Sequence, residues 1–146
     1  MPEIGDAVEK HRRNAVDTRR LYAMERKFLQ RNTPRLGIFE LRWLALKVWT
    51  YEKLPAEQFP KIIAGEGIFY LGVWTSYCDT ALRPMKIVLA AHHRKIPVLL
   101  HELTHAMGHW NHDCAFVERY FQLLSRYGGY THEELVINAA WFGIKV

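Results

Sequence analysis

The segment HELTHAMGHWNHDCAF, residues 101–116, sets the terms for the rest of the chain. His101 and His105 are four residues apart, so on a helix both imidazoles leave one face, about 6 Å apart along the axis. One ion can bridge them, because zinc–imidazole bonds are about 2.0–2.1 Å long. Glu102 follows the first histidine and points beside such an ion rather than at it. From there a carboxylate can take a proton from an activated water and pass it to a leaving amine. Leu99, Leu100, Leu103 and Met107 supply the apolar sides that bury the helix. The expectation is that His101 and His105 bind Zn²⁺ and that Glu102 is the catalytic base.

A catalytic zinc takes three protein ligands and keeps one position open. His109, His112, Asp113 and Cys114 are the nearby candidates for the third. On a straight helix His109 would lie about 12 Å along the axis from His101, and His112 further still, so neither could share the ion. Gly108 offers an exit, because glycine ends helices by adopting positive φ. A chain that turns back there brings a residue a few positions later under the ion. His112 is the expected third ligand, with His109 second. Glu118 is close by on the next helix and Glu133 and Glu134 are remote, so a distant acid suits the geometry less well. The oxyanion of the reaction also needs a partner. Tyr120, Tyr127, Tyr130, Arg119 and His109 are candidates, and the sequence does not choose among them. Asp113 is the expected outer partner of a ligand histidine.

The surrounding pattern predicts one α+β domain over residues 1–146. Asp6 and Glu9 make a capping-box pair for a first helix that ends near Asn32. Within it Leu21, Met24 or Glu25, Phe28 and Leu29 keep helical spacing, with Arg19, Arg20, Arg26, Lys27 and Arg31 largely on the other side. Thr33-Pro34 reads as cap and first turn of a second helix that runs to Tyr51, its start weakened by Gly37. Between Phe59 and Ala90, β-favouring groups broken by Gly65, Gly67 and Gly72, then a run from Pro84 to Leu89, predict a short antiparallel sheet of two to four strands. Three helices follow, over about 95–108, 113–126 and 131–141. Phe116, Tyr120, Leu123 or Leu124 and Tyr127 form one stripe, and Thr131 with Glu134 form another capping box.

Residues 1–35 carry nine Lys and Arg against five Asp and Glu, most of the chain's net charge of +5. Such a basic stretch, residues 10–35 above all, suits contact with nucleic acid or another acidic surface, or is simply a solvated helix face. Cys78 and Cys114 are expected as reduced thiols, since disulfide frameworks in small chains use more cysteines. No run approaches the ~18–20 apolar residues of a membrane span, and the charged start lacks a secretory signal's apolar stretch. A cytoplasmic protein is the expectation.

The order strand, polar loop, HELTHA, short link, then His112-Asp113-Cys114-Ala115-Phe116 leading into a helix resembles the SprT-like zinc metalloproteases. It also resembles a smaller group of metallohydrolases related to them. The stretch DTRRLYAMER, residues 17–26, is similar to a Gln-Arg…Tyr-x-x-Glu segment of that smaller group. The first resemblance covers about residues 66–127, and the second nearly the whole chain. It implies a small zincin-like fold: N-terminal helices, a short sheet, an HExxH active-site helix and C-terminal helices. It further implies a zinc-dependent peptidase with His101, His105 and His112 as ligands and Glu102 as base, acting on a protein or peptide. The chain departs from the pattern at Asp113, where the family has glycine, and in its short link between the second and third histidines. It nearly meets the metzincin spacing too, but Asn111 occupies that pattern's third-ligand position and no Met-turn methionine follows. Two other readings stand beside this one. A metal-dependent nuclease is one: an RNA-maturation family also clusters three histidines, but has glycine in place of Glu102. A non-enzymatic zinc-containing binding or assembly protein is the other.

Overall fold

A computed structural model of the protein describes residues 17–31, 33–70 and 73–146. The Asp6–Glu9 capping pair, Asn32, and the basic residues Lys10, Arg12 and Arg13 lie outside the described residues. The architecture is mixed α and β, as expected: the described residues form five α-helices and a three-stranded sheet, with a separate two-stranded hairpin.

Helix α1 (Thr18–Met24) is capped by Asp17, whose carboxylate accepts from the Arg19 N–H at 2.9 Å. Its continuation, Glu25–Leu29, is π-helical, closed by Gln30 N–H donating to Glu25 O at 2.7 Å. The wider turn brings neighbours inward together: Leu21, Met24, Glu25 and Leu29 are all buried. The sequence offered Met24 or Glu25 for that face; the π turn buries both. Arg19, Arg20, Arg26, Lys27 and Arg31 are exposed, as their spacing predicted.

The expected start of the second helix is corrected. Thr33 caps nothing downstream; its hydroxyl donates back to Leu29 O at 2.6 Å and closes the π turn. Residues 33–37 are not helical, and α2 runs Ile38–Tyr51. Gly37 is its extended N-cap, with its N–H donating to Glu40 Oε1 at 3.3 Å, so the glycine begins the helix rather than weakening it. Leu41, Ala45, Val48 and Trp49 form the buried stripe.

The sheet is also not the antiparallel one expected. Its order is β1 (Lys61–Gly65), β5 (Lys86–Ala90), β4 (Tyr77–Asp79). β4 pairs antiparallel with β5, but β1 pairs parallel to it, Lys61 opposite Lys86 and Gly65 opposite Ala90. The intervening chain, residues 66–85, is long enough for the return that a parallel pair requires. It includes the hairpin β2 (Ile68–Tyr70) and β3 (Val73–Thr75). Ile87, Val88, Leu89 and Ala90 are all buried, the mark of a strand covered on both faces.

A 3₁₀ turn, Ala91–His93, carries β5 into α3 (Ile96–Ala106), with Pro97 in the first turn as expected. Val98, Leu99, Leu100 and Leu103 anchor α3 in the core. Helix α4 (Cys114–Tyr127) buries Phe116, Val117, Tyr120, Phe121, Leu123 and Leu124. Helix α5 (His132–Trp141) starts at the predicted Thr131–Glu134 capping box. Glu52, just past α2, ties α2 to α4: Arg119 and Arg126 donate to its Oε1 at 2.8 and 2.6 Å, and Tyr127 to its Oε2 at 2.7 Å. Burial raises its pKa, but Tyr127 and the two guanidiniums outweigh that and hold the carboxyl below its ordinary value. Cys78 and Cys114 are free thiols. Among the described residues no helix is long and apolar enough to cross a membrane.

Candidate metal centre

The chain does bend beyond the HExxH helix. α3 ends at Ala106, two residues before the boundary expected from sequence, and Gly108 takes φ +105°, a value that side-chain-bearing residues rarely adopt. Gly108 N–H donates to His105 O at 3.0 Å and His109 N–H to Thr104 O at 3.3 Å, closing the helix end. The link then doubles back and delivers His112 under α3, immediately before Asp113 caps α4 by accepting from Phe116 N–H at 2.9 Å. Two strong local signals, a glycine exit and an aspartate cap, thus fix the third histidine from both sides.

Three imidazole nitrogens converge there. Nε2 of His112 lies 3.1 Å from Nε2 of His101 and 3.1 Å from Nε2 of His105. For bonds of about 2.0–2.1 Å to a shared ion, that separation corresponds to an angle of about 100° at the ion, close to tetrahedral. The three residues could hold a metal ion, and their ligand atoms all lie within 4.8 Å of one another. Burial, the leading cause for each ring, keeps them neutral: it pushes His101 and His112 down to about 3 and His105 to about 4. Neutral imidazole is the form that binds a metal.

Each ring is held from behind. His101 Nδ1 lies 2.8 Å from Glu25 Oε2 and donates to it in the tautomer that leaves Nε2 free for an ion. His105 Nδ1–H donates to the backbone carbonyl of His109 at 2.8 Å, and a carbonyl can only accept, so Nε2 of His105 carries a lone pair. Thr18 Oγ1 stands 3.3 Å from His112 Nδ1. Such outer contacts fix tautomer and ring direction in metal sites. Tyr120 completes the support with its single hydroxyl proton between two acceptors, Pro97 O at 2.9 Å and Glu25 Oε2 at 3.2 Å. Burial dominates at Glu25 and raises its carboxyl to about 8, against the opposing effects of His112, Tyr120 and His105.

Glu102 is buried beside the histidines at 5 % exposure. Burial first, and then the charge of Glu25, hold its carboxyl well above the ordinary range. It lies on the lining of two cavities, of about 470 and 250 Å³, which share Tyr22, Ser76, His101 and Glu102. The smaller one also reaches His105 and His112, with Trp110 and the edge strand's Tyr77 and Cys78 opposite. Burial, then Glu102 and Asp79, push the Cys78 thiol up to about 12, which disfavours its thiolate form.

Several expected supporting roles are reassigned. The hydrogen bond that Asp113 makes is to the α4 cap and not to a ligand histidine; the acid beside a ligand ring is Glu25. Of the oxyanion candidates, Tyr120 is buried against Glu25 and Pro97, Tyr130 donates to Leu29 O at 2.6 Å, and Arg119 and Tyr127 are bound to Glu52. His109 contributes its carbonyl to His105, and its ring is on neither cavity lining. Cys114 begins α4 and is not in the ligand cluster. Tyr22, which sequence reasoning passed over, has its ring centroid 6.0 Å from that of His101 and 5.5 Å from that of His112. Tyr22 and Glu25 are the Tyr-x-x-Glu pair of the α1 segment, so that local pattern was the available signal.

Glu25→Ala is expected to weaken metal binding by about 10- to 100-fold, the usual cost of removing an outer partner. Glu25→Gln, which keeps an acceptor oxygen for His101, should retain part of the affinity. Competition titration against a chromogenic chelator measures both, and wild-type affinity in Glu25→Ala would remove this role.

No family model, no curated protein and no solved structure matches this chain.

Proposed function

We propose that this chain is a zinc-dependent peptidase with a small zincin-like fold, in which His101, His105 and His112 bind the ion and Glu102 is the general base. The observation that carries this reading is the convergence of three backed, neutral imidazole nitrogens beside a buried glutamate that faces two cavities. Nitrogen donors at near-tetrahedral angles suit zinc, and three protein ligands leave one position for chemistry. The Tyr22 and Glu25 contacts support the resemblance to the smaller metallohydrolase group, since the residues that carry it surround the histidines.

When bound, zinc supplies Lewis acidity toward a water and the substrate carbonyl. The chain's own residues do the rest. A cation held by the three histidines would lower the carboxyl pKa of Glu102 and favour its ionised form, the one that can accept a proton. The same carboxyl then returns that proton to the departing amine. Glu25, Thr18 and the His109 carbonyl keep the rings aimed, so no reorganisation accompanies the charge shift. Tyr22, whose ring lies beside two of the ligands and on the lining of both cavities, is the candidate to meet the developing oxyanion.

Zinc-loaded protein should generate new N-termini in a mixture of denatured proteins, read by terminal-labelling mass spectrometry. Chelator-stripped protein should generate none, and about one equivalent of zinc per chain should restore them. Absence of new termini with the loaded protein overturns the peptidase reading, and fragmentation of RNA in its place would favour the nuclease.

A further inference from the structure

We infer that the cavity of about 470 Å³ beside Glu102 is a specificity subsite that takes an anionic side chain of the substrate, a carboxylate or a phosphorylated residue. This rests on the peptidase reading and deepens it. The volume lies within the ~300–1,000 Å³ of small-ligand pockets, enough for a long side chain and its adjoining backbone.

Its charge is lopsided. Arg19 and Arg26, seven residues apart on α1 and its π continuation, both line it and are both exposed. Among the described residues neither guanidinium has an ion-pair partner, whereas the neighbouring Arg20 is committed to Gly143 O at 3.1 Å and to Asp17. The smaller cavity on the other flank of the histidines has no Lys or Arg in its lining. A bound chain would therefore meet positive charge on one side of Glu102 only. The two acids of the larger cavity, Glu25 and Glu102, are each only 5 % exposed, whereas both arginines are exposed, so a side chain entering from solvent meets the guanidiniums first.

The part of the basic N-terminal stretch that is described thus has a local task, set against the mouth of the site.

The probe is a pool of degenerate peptides passed over immobilised zinc-loaded Glu102→Gln protein, with retained peptides sequenced by mass spectrometry. Glu, Asp or phosphoserine should be enriched over Gln at one position by about 10-fold, as expected for a hydrogen-bonded charge pair. Separate glutamate and phosphoserine pools tell the two anion sources apart. The R19E/R26E double variant should reverse the preference to Lys. The same charge change at Arg35 and Lys145, outside the lining, should leave it intact. No enrichment, enrichment that survives R19E/R26E, or loss in the Arg35/Lys145 control each overturns the subsite. Because the readout needs no turnover, cleavage by wild type without enrichment sinks the subsite alone, and enrichment without cleavage sinks the peptidase reading alone.

Discussion

Glu102→Gln should lower turnover by about 10²- to 10⁴-fold, the range for losing a general base, while the protein keeps its metal. Glutamine matches the shape of glutamate but cannot accept the proton, so the substitution removes one chemical capacity and little else. Its second expected effect has the opposite sign. A carboxyl at 5 % exposure whose pKa is pushed up by burial is costly to keep ionised in the folded chain. Glutamine escapes that cost, so metal-free Glu102→Gln should unfold at a temperature no lower than wild type. A residue kept for packing would show the reverse: normal turnover and a lower melting temperature. Three measurements on one variant separate these cases: kcat on any cleaved peptide, zinc per chain, and Tm after metal removal. Wild-type kcat in Glu102→Gln would dismiss Glu102 from the chemistry whatever the other two read.

What could be read from the sequence was what neighbouring residues decide. The HExxH spacing, the glycine exit at Gly108 and the Thr131–Glu134 box all act within one or two turns, and each was legible. His112 was legible for the same reason, since its position follows from a local bend. The support behind the histidines was not. Glu25 is 76 residues from His101, and Thr18 is 94 from His112, and nothing along the chain announces such pairings. The π turn hid Glu25 further, because ordinary helical periodicity treats Met24 and Glu25 as alternatives when both point inward. The parallel pairing of β1 with β5 was misread because glycine-broken β groups favour hairpins locally. The pairing itself is decided by where the chain must return to launch α3. Asp113 was expected at a ligand histidine, but its Oδ1 accepts from Phe116 N–H in its own helix, and the acid that meets a ligand ring is Glu25 at His101.

That distinction between local and long-range control yields the sharpest test of the centre, a comparison of two nearby histidines. His112→Ala should abolish stoichiometric zinc retention, because it leaves two nitrogens on one helix face. Two such ligands hold an ion far less tightly than three, by at least the ~10²-fold that loss of a mere outer partner can cost. His109→Ala should keep its zinc, although His109 is closer in sequence to the other two ligands. The part of His109 that matters is its backbone carbonyl, which alanine also possesses and which would still accept from His105 Nδ1–H. A straight continuation of α3 predicts no zinc loss from either substitution, since it would carry both rings away from His101. Gly108→Ala probes the same bend without touching a ligand. No atom lies within 4 Å of an added Cβ, so any effect comes from φ +105° alone. An alanine there should cost about 1 kcal/mol and weaken zinc binding only in part. Zinc retained by His112→Ala and lost by His109→Ala would mean that the bend delivers the wrong imidazole, and the centre described here would have to be abandoned.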